Sequence, residues 1–294
     1  MTSTEVPHET RVRRFYDAAD LGGEAAGEAY EKMMGVLWHH GDDEAEKAGK
    51  TPAEAAVLME RKLMDLSGLE PGDLALDFGS GPGGATVNMA EMTGATFVGV
   101  SNSESLSRRA RRHAAERGLQ HLARFATIGD LDYLDLALWP DASLDAVTFF
   151  ESVCHLTDRA AFFRAAARKL KPGGRLIGLD WLQRPFGEYR TEEQIRAVIE
   201  PAVEYIRLAP GPLGTVDGYA GMMRAAGLEV THAVDAFPGV PCWGSTPPED
   251  RAAWLTYSGP SGELFQNGKR ALDAARGAGV FTVGWWVAQR PSQP

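Results

Sequence analysis

The chain has 294 residues, room for one large domain or one domain with a small appendage. With 44% hydrophobic and 24% charged residues it has the make-up of a folded protein, which excludes wholesale disorder, and it contains no run of about 20 apolar residues to cross a bilayer. A formal net charge of −10, from 40 acidic and 30 basic residues, repels phosphate backbones and anionic lipid. The expected partner is therefore a small-molecule substrate, with no nucleic acid and no membrane insertion; association into a homo-oligomer is left open. Met1-Thr2-Ser3-Thr4-Glu5 has neither the basic nor the apolar region of a secretory leader, and Cys154 and Cys242 lie too far apart in sequence to make a metal knuckle, so a reduced, cytoplasmic setting is expected.

Residues 1–70 read as helices with breaks. Arg11 to Ala19 and Ala25 to Trp38 are apolar at three- and four-residue spacing, with Gly22-Gly23 between them and Gly41-Asp42-Asp43 after the second. A third helix starts at Thr51-Pro52, where Thr51 caps, Pro52 fits the first turn and Glu54 completes a capping box, and it runs to Leu66. From residue 71 the texture changes. Short apolar runs at Leu74–Phe78, Ala95–Val100, Ala123–Ile128, Asp145–Phe150 and Arg175–Asp180 alternate with helical stretches at Thr86–Met92, Leu106–Arg117 and Ala160–Leu170. That alternation predicts an α/β fold, a parallel sheet covered by helices on both faces. The basic run Arg108-Arg109-Ala110-Arg111-Arg112-His113 reads as a solvated helix face. The helix Thr191–Leu208 interrupts the rhythm before a sixth unit, Val216–Ala226 and Leu228–Phe237. Then come a Pro/Gly/aromatic stretch from Pro238 to Pro248, a helical region 249–276 broken at Gly259-Pro260, and a last strand Val280–Ala288, expected antiparallel at the sheet edge.

The richest signal is Leu76-Asp77-Phe78-Gly79-Ser80-Gly81-Pro82-Gly83-Gly84. Gly79, Gly81 and Gly84 match a dinucleotide fingerprint, a weak match because any tight strand-to-helix turn collects glycines. Asp77 sharpens it: a carboxylate at the strand end repels a pyrophosphate and suits a ligand that brings cations, such as the ammonium and sulfonium of S-adenosylmethionine. The second strand ends Val100-Ser101-Asn102 with no acid before Glu104, so the carboxylate clamp on a nicotinamide cofactor's ribose is missing. A nicotinamide-dependent oxidoreductase and a non-catalytic cofactor-binding scaffold stand as the rival readings.

From Pro71 to Asp180 the chain resembles the class I S-adenosylmethionine-dependent methyltransferases. The residues that carry the resemblance are the glycine turn, Gly129-Asp130-Leu131, Asp141-Ala142-Ser143-Leu144-Asp145-Ala146-Val147, and Leu170-Lys171-Pro172-Gly173-Gly174-Arg175-Leu176, with Arg276-Gly277-Ala278-Gly279-Val280-Phe281 in the tail. The resemblance is to the small-molecule branch that includes sterol, tocopherol and geranyl-diphosphate C-methyltransferases. It implies a Rossmann-like, mostly parallel seven-stranded sheet with an antiparallel last strand. It also implies an N-terminal helical lid over 1–70 and a core over 71–294 with lid insertions at about 182–215 and 238–262. The cofactor it implies is S-adenosyl-L-methionine: Asp77 with the Gly79, Gly81 and Gly83 backbone at its amino-acid end, Ser101 and Asn102 at the ribose, Asp130 and Leu131 at the adenine. The glutamine that relatives carry a few residues after the second strand is absent here, where Leu106 and Ser107 stand.

Chemistry is expected beyond the carboxyl ends of the strands. Phe149-Phe150-Glu151-Ser152-Val153-Cys154-His155 places Glu151, and His155 as a second base or orienter, at the end of the fourth strand. Glu151 reads either as a base, or carboxylate facing a cation, or as a hydrogen-bonded strand end; His155 reads either as a base or as a packing residue. Tyr16, Trp38 and His39 are lid residues or core residues. Phe149, Phe150, Trp181, Phe186 and Trp243 would make an apolar acceptor pocket able to stabilise a carbocation, whereas Trp285-Trp286 reads as sheet packing. The adjacent His39 and His40 cannot share a metal on one helix face, and no metal is expected. The reading that follows is methylation of a small, largely apolar acceptor of natural-product type. It leans to a carbon of an isoprenoid or terpenoid double bond, with methylation of an oxygen or nitrogen fitting nearly as well. Arg11, Arg13 and Arg14 are the only basic residues the sequence places nearby, so a free diphosphate on the acceptor is not expected.

Overall fold

A computed structural model describes residues 6–129, 136, 139–185, 191–238 and 248–292, the side chains of 248–251 excepted. Seven strands form one sheet: β1 (Leu74–Phe78), β2 (Thr96–Ser101), β3 (Ala123–Thr127), β4 (Leu144–Phe150), β5 (Leu170–Gln183), β6 (Glu229–Asp235) and β7 (Phe281–Gln289), in the order β3-β2-β1-β4-β5-β7-β6. The first five run parallel, and β7 pairs antiparallel with both β5 and β6. The last strand is therefore not at the edge, as the sequence reading had it. It is inserted between β5 and β6, where eight of its residues are buried and both of its hydrogen-bonding sides are used. A run such as Phe281-Thr282-Val283-Gly284-Trp285-Trp286-Val287, apolar on both faces, belongs inside a sheet.

The helices are α1 (His8–Tyr16), α2 (Ala26–Met34), α3 (Asp43–Lys47), α4 (Pro52–Asp65), α5 (Gly84–Thr93), α6 (Glu104–Glu116), α7 (Arg159–Lys169), α8 (Glu192–Ile206), α9 (Val216–Ala225), α10 (Pro248–Thr256) and α11 (Gly262–Gly277). Helix α4 starts on the expected capping box, Thr51 accepting from the Glu54 amide while the Glu54 carboxylate accepts from the Thr51 amide. Helix α2 is shorter than its apolar period predicts. It stops at Gly35, whose φ of 63° ends the helix, and residues 35–42 cross the sheet edge as an irregular segment. The basic run lies on α6, with Arg108 and Arg111 paired to Glu104 and Arg109 tied to Glu31 and the Gly27 carbonyl of α2. Trp286 is fully buried and stacks between Tyr219 and Phe149, the sheet packing its sequence context indicates.

The strand order reverses between β1 and β4. In an open α/β sheet this point opens a crevice at the carboxyl edge, because the connections from the two strands leave toward opposite faces. Asp77 (β1), Ser101 (β2), Glu151 (just past β4) and Trp181 (β5) all reach that edge, and α1, α2 and the 35–42 segment lie across it.

Candidate active site

One cleft gathers most of the residues singled out in the sequence. Its walls include Asp77, Gly79, Gly81, Ser101, Asn102, Phe150, Glu151, His155 and Trp181 from the core, and Tyr16, Trp38 and His39 from the N-terminal segment. Two glycine-turn residues need their glycines for conformation, with φ of 76° at Gly79 and 52° at Gly81. Gly83 does not line the cleft. It precedes α5 with φ of 87°, and a Cβ there would meet the Ala110 Cβ at 2.7 Å, so it is a packing glycine between the turn and α6. Phe149 is also misplaced by the sequence reading: successive strand residues face opposite sides, and Phe149 points into the core against Phe162, Phe163 and Trp286 while Phe150 faces the cleft. Asp130, Leu131, Phe186 and Trp243 lie outside the described residues.

Asp77 is 2% exposed and accepts from Thr86 Oγ1 at 2.5 Å and Thr148 Oγ1 at 2.9 Å. Burial pushes its carboxyl up to about 6, against the two hydroxyl hydrogen bonds and the field of His39, which favour the charged form. A buried carboxylate held by neutral hydroxyls at a cleft wall is short of a cation, and an ammonium group supplies one. Ser101 and Asn102 add a hydroxyl and an amide at the end of β2, and Val12, Pro82 and Leu106 add apolar surface. This donor set fits an aminoacyl nucleoside and offers no nest of cationic side chains for a pyrophosphate.

Glu151 is clamped. One carboxylate oxygen accepts from both the backbone N–H and Nδ1 of His40 at 2.6 Å, and the other accepts from the Trp181 indole N–H. Its φ of 51° lies in the left-handed region that a side chain rarely takes, and these three hydrogen bonds hold it there. His39 and His40 thus have separate carboxylate partners. His39 Nε2 meets Glu60 at 2.9 Å, with Asn88 donating to the other Glu60 oxygen. Burial lowers the His39 imidazolium, but the hydrogen bond and charge of Glu60 outweigh it and the net shift is upward; burial dominates at His40 and lowers it despite Glu151. We expect Glu151→Ala to cost about 3 kcal/mol of stability, because it leaves buried donors of His40 and Trp181 unpaired; urea denaturation checks this.

His155 has the geometry of a proton acceptor. Its Nδ1 lies 2.8 Å from the Arg207 carbonyl, which can only accept, so Nδ1 carries the hydrogen and Nε2 presents a lone pair. Nε2 faces the Tyr16 hydroxyl at 3.2 Å. Burial lowers the imidazolium to about 4, so the ring is neutral at physiological pH. Tyr16 stacks on Trp38 and lies near Tyr30, giving the cleft an aromatic roof. Tyr30, His40, Glu60 and Arg207 were not marked as site residues by the sequence. Tyr30 is one aromatic in an amphipathic helix, and Arg207 contributes only a backbone carbonyl, which no side-chain pattern reveals.

A family model described as "Methyltransferase domain" matches residues 76–178. The 27-O-demethylrifamycin SV methyltransferase of Amycolatopsis mediterranei is 33% identical over 236 residues, covering 78% of this chain and 77% of that protein. The chain belongs to the S-adenosylmethionine-dependent methyltransferases. Two solved structures show the methyltransferase fold across nearly the whole length. One is the 4+2 cyclase SpnF, with a TM-score of 0.79, 20% identity and coverage of 98% of both chains. The other is geranyl diphosphate C-methyltransferase from Streptomyces coelicolor A3(2), in complex with magnesium, geranyl diphosphate and S-adenosyl-L-homocysteine, with a TM-score of 0.67, 20% identity and coverage of 98% and 99%. That one of these is a cyclase shows that the fold does not fix the reaction; the site must. Among the described residues, no helix is long and apolar enough to cross a membrane.

Proposed function

We propose that this methyltransferase transfers a methyl group to a hydroxyl of a small, largely apolar acceptor, with His155 taking the hydroxyl proton. S-adenosylmethionine supplies the electrophile, a methyl group on a sulfonium. Asp77 holds the ligand's ammonium, the Gly79 and Gly81 backbone allows close approach, Ser101 and Asn102 meet the ribose, and the helices of residues 1–70 act as the lid.

The observation that carries the oxygen reading is the fixed tautomer of His155. The Arg207 carbonyl pins the hydrogen on Nδ1, and the Nε2 lone pair already accepts a hydroxyl, that of Tyr16, in the cleft. A base lowered to about 4 is weak toward a neutral alcohol. It is sufficient here, because an oxygen that gains a methyl becomes an oxonium, far more acidic than any imidazolium. Glu151 is a poorer base, since its carboxylate is held by the buried donors of His40 and Trp181, whereas the Tyr16 hydroxyl can rotate away from Nε2 and yield the lone pair to an acceptor hydroxyl. The named O-methyltransferase relative supports the same reading.

Methylation of an isoprenoid double bond is the second reading. It is favoured by the aromatic roof of Tyr16, Tyr30 and Trp38 with Phe150 and Trp181 in the walls, which can face a developing carbocation. Phe149, expected in that wall, packs in the core instead. Product analysis separates the two. With a carbon-13 methyl donor and a panel of apolar hydroxylated and alkene metabolites, the oxygen reading expects the labelled carbon at a methoxy shift. Label found only as carbon-bound methyl would replace it with the second reading.

A further inference from the structure

His39 forms part of the cleft wall, yet both of its ring nitrogens are committed within the protein. Nδ1 lies 2.9 Å from the His40 carbonyl and Nε2 lies 2.9 Å from a Glu60 oxygen. A carbonyl oxygen only accepts, so Nδ1 carries a hydrogen. The second Glu60 oxygen accepts from the Asn88 amide at 2.8 Å. The Asn88 carbonyl oxygen in turn accepts from Arg117, which fixes the end of the amide that faces Glu60. The remaining proton, between Glu60 and Nε2, resides on the ring. Burial opposes that charge, but the Glu60 hydrogen bond and the charges of Glu60 and Glu151 outweigh it.

The ring is fixed in place as well. The His39 and Glu60 side chains are 2% and 0% exposed. The segment that carries His39 is pinned to α4, where the Asp42 amide donates to the Ala55 carbonyl at 3.0 Å and a Cβ on Gly41 would collide with Ala55. The neighbouring His40 ring is paired to Glu151. Asp77, on the same cleft, is surrounded by the Thr86 hydroxyl of α5, the Thr148 hydroxyl of β4, Glu60 of α4 and His39. Among these groups Glu60 opposes the ionised form of Asp77, and His39 brings the positive charge that favours it.

We propose that His39 is a fixed imidazolium whose charge keeps Asp77 a carboxylate in the cofactor-free protein, which makes it a positioning residue for the cofactor's ammonium group. The last clause rests on the proposed placement of that ammonium at Asp77. The coupling of the two charges does not.

Carbon-13 spectra of aspartate-labelled, cofactor-free protein read the coupling without a ligand, the Asp77 signal being assigned by its loss in Asp77→Asn. The wild-type carboxyl should titrate near 6. In His39→Gln the midpoint should rise to about 7 or above, because a close opposite charge is lost. His39→Lys, which keeps the charge, should return the midpoint toward the wild-type value. A purely structural role for His39 expects one midpoint in all three folded proteins, and that result would overturn the proposal. Should His39→Gln fail to fold, nitrogen-15 spectra of the wild-type ring decide: two N–H nitrogens at neutral pH support the proposal, and a lone-pair nitrogen sinks it. Calorimetric titration with S-adenosylmethionine then reads the consequence. Between pH 8 and 6 the affinity should fall about twofold in the wild type and about tenfold in His39→Gln. A midpoint that moves while the affinity does not follow would remove the ammonium from Asp77 and with it the positioning role, leaving the methyl-transfer reading to stand on its other residues.

Discussion

Asp77→Asn is expected to weaken S-adenosylmethionine at least about thirtyfold while the protein stays folded. Removing one member of a desolvated charge pair costs about 2–5 kcal/mol, much of it the stranded partner charge. Asparagine keeps the shape and can still accept from one of the hydroxyls of Thr86 and Thr148 that hold Asp77 now. The same carboxylate sets a pH dependence. Burial raises it to about 6, and only its ionised form attracts an ammonium. Lowering the pH through 6 protonates Asp77 in the free protein, so affinity falls with acid, by about tenfold between neutrality and pH 5. In Asp77→Asn this acid dependence should vanish. Calorimetric titrations of both proteins between pH 5 and 8 check it; an acid dependence that persists in the variant would assign it to another group.

Much of this site was legible before the fold was known, and the reasons are physical. Asp77, Gly79 and Gly81 announce themselves because a strand-to-helix turn at a ligand is made by backbone conformation, and backbone conformation is written locally as glycine. Glu151 stands out because a charged residue after two phenylalanines interrupts an apolar strand. Phe149 and Gly83 show the limit. Both neighbour true cleft residues, and only the alternation of β4 and the contact of the turn with Ala110 on α6 tell which way each points. The place of β7 was hidden for a related reason: sequence order says nothing about which edge of the sheet a final strand chooses, although its apolar character on both faces points inward. The burial of Lys269 and Arg276 on α11 carries no local sequence signal. They share a pocket wall with Met33 and Leu37 of the N-terminal segment, more than 200 residues earlier in the chain, a long-range fact. Of the three arginines on α1, Arg11 pairs with Glu204 at the surface.

His155→Ala is expected to lower kcat by about 10²–10⁴ while leaving the affinity for S-adenosylmethionine within about twofold, because His155 touches the acceptor end of the cleft and not the glycine turn. Tyr16→Phe should act mainly on acceptor KM, since the hydrogen on Nδ1 is fixed by the Arg207 carbonyl and not by Tyr16. The pH profile separates the two buried acids. His155 is lowered to about 4 by burial, so the neutral, proton-accepting ring is complete above about pH 5 and is lost only as pH falls through 4. The acid limb of kcat/KM for the cofactor should therefore sit near 6 and follow Asp77, whereas kcat at saturating cofactor should stay flat through that region. A kcat that falls with acid near 6.5, the value of an ordinary imidazole, would mean that His155 is solvated in the working enzyme. A His155→Ala variant with wild-type kcat would pass the proton to water or to Glu151 and leave His155 as a brace between the β4 turn and the end of α8.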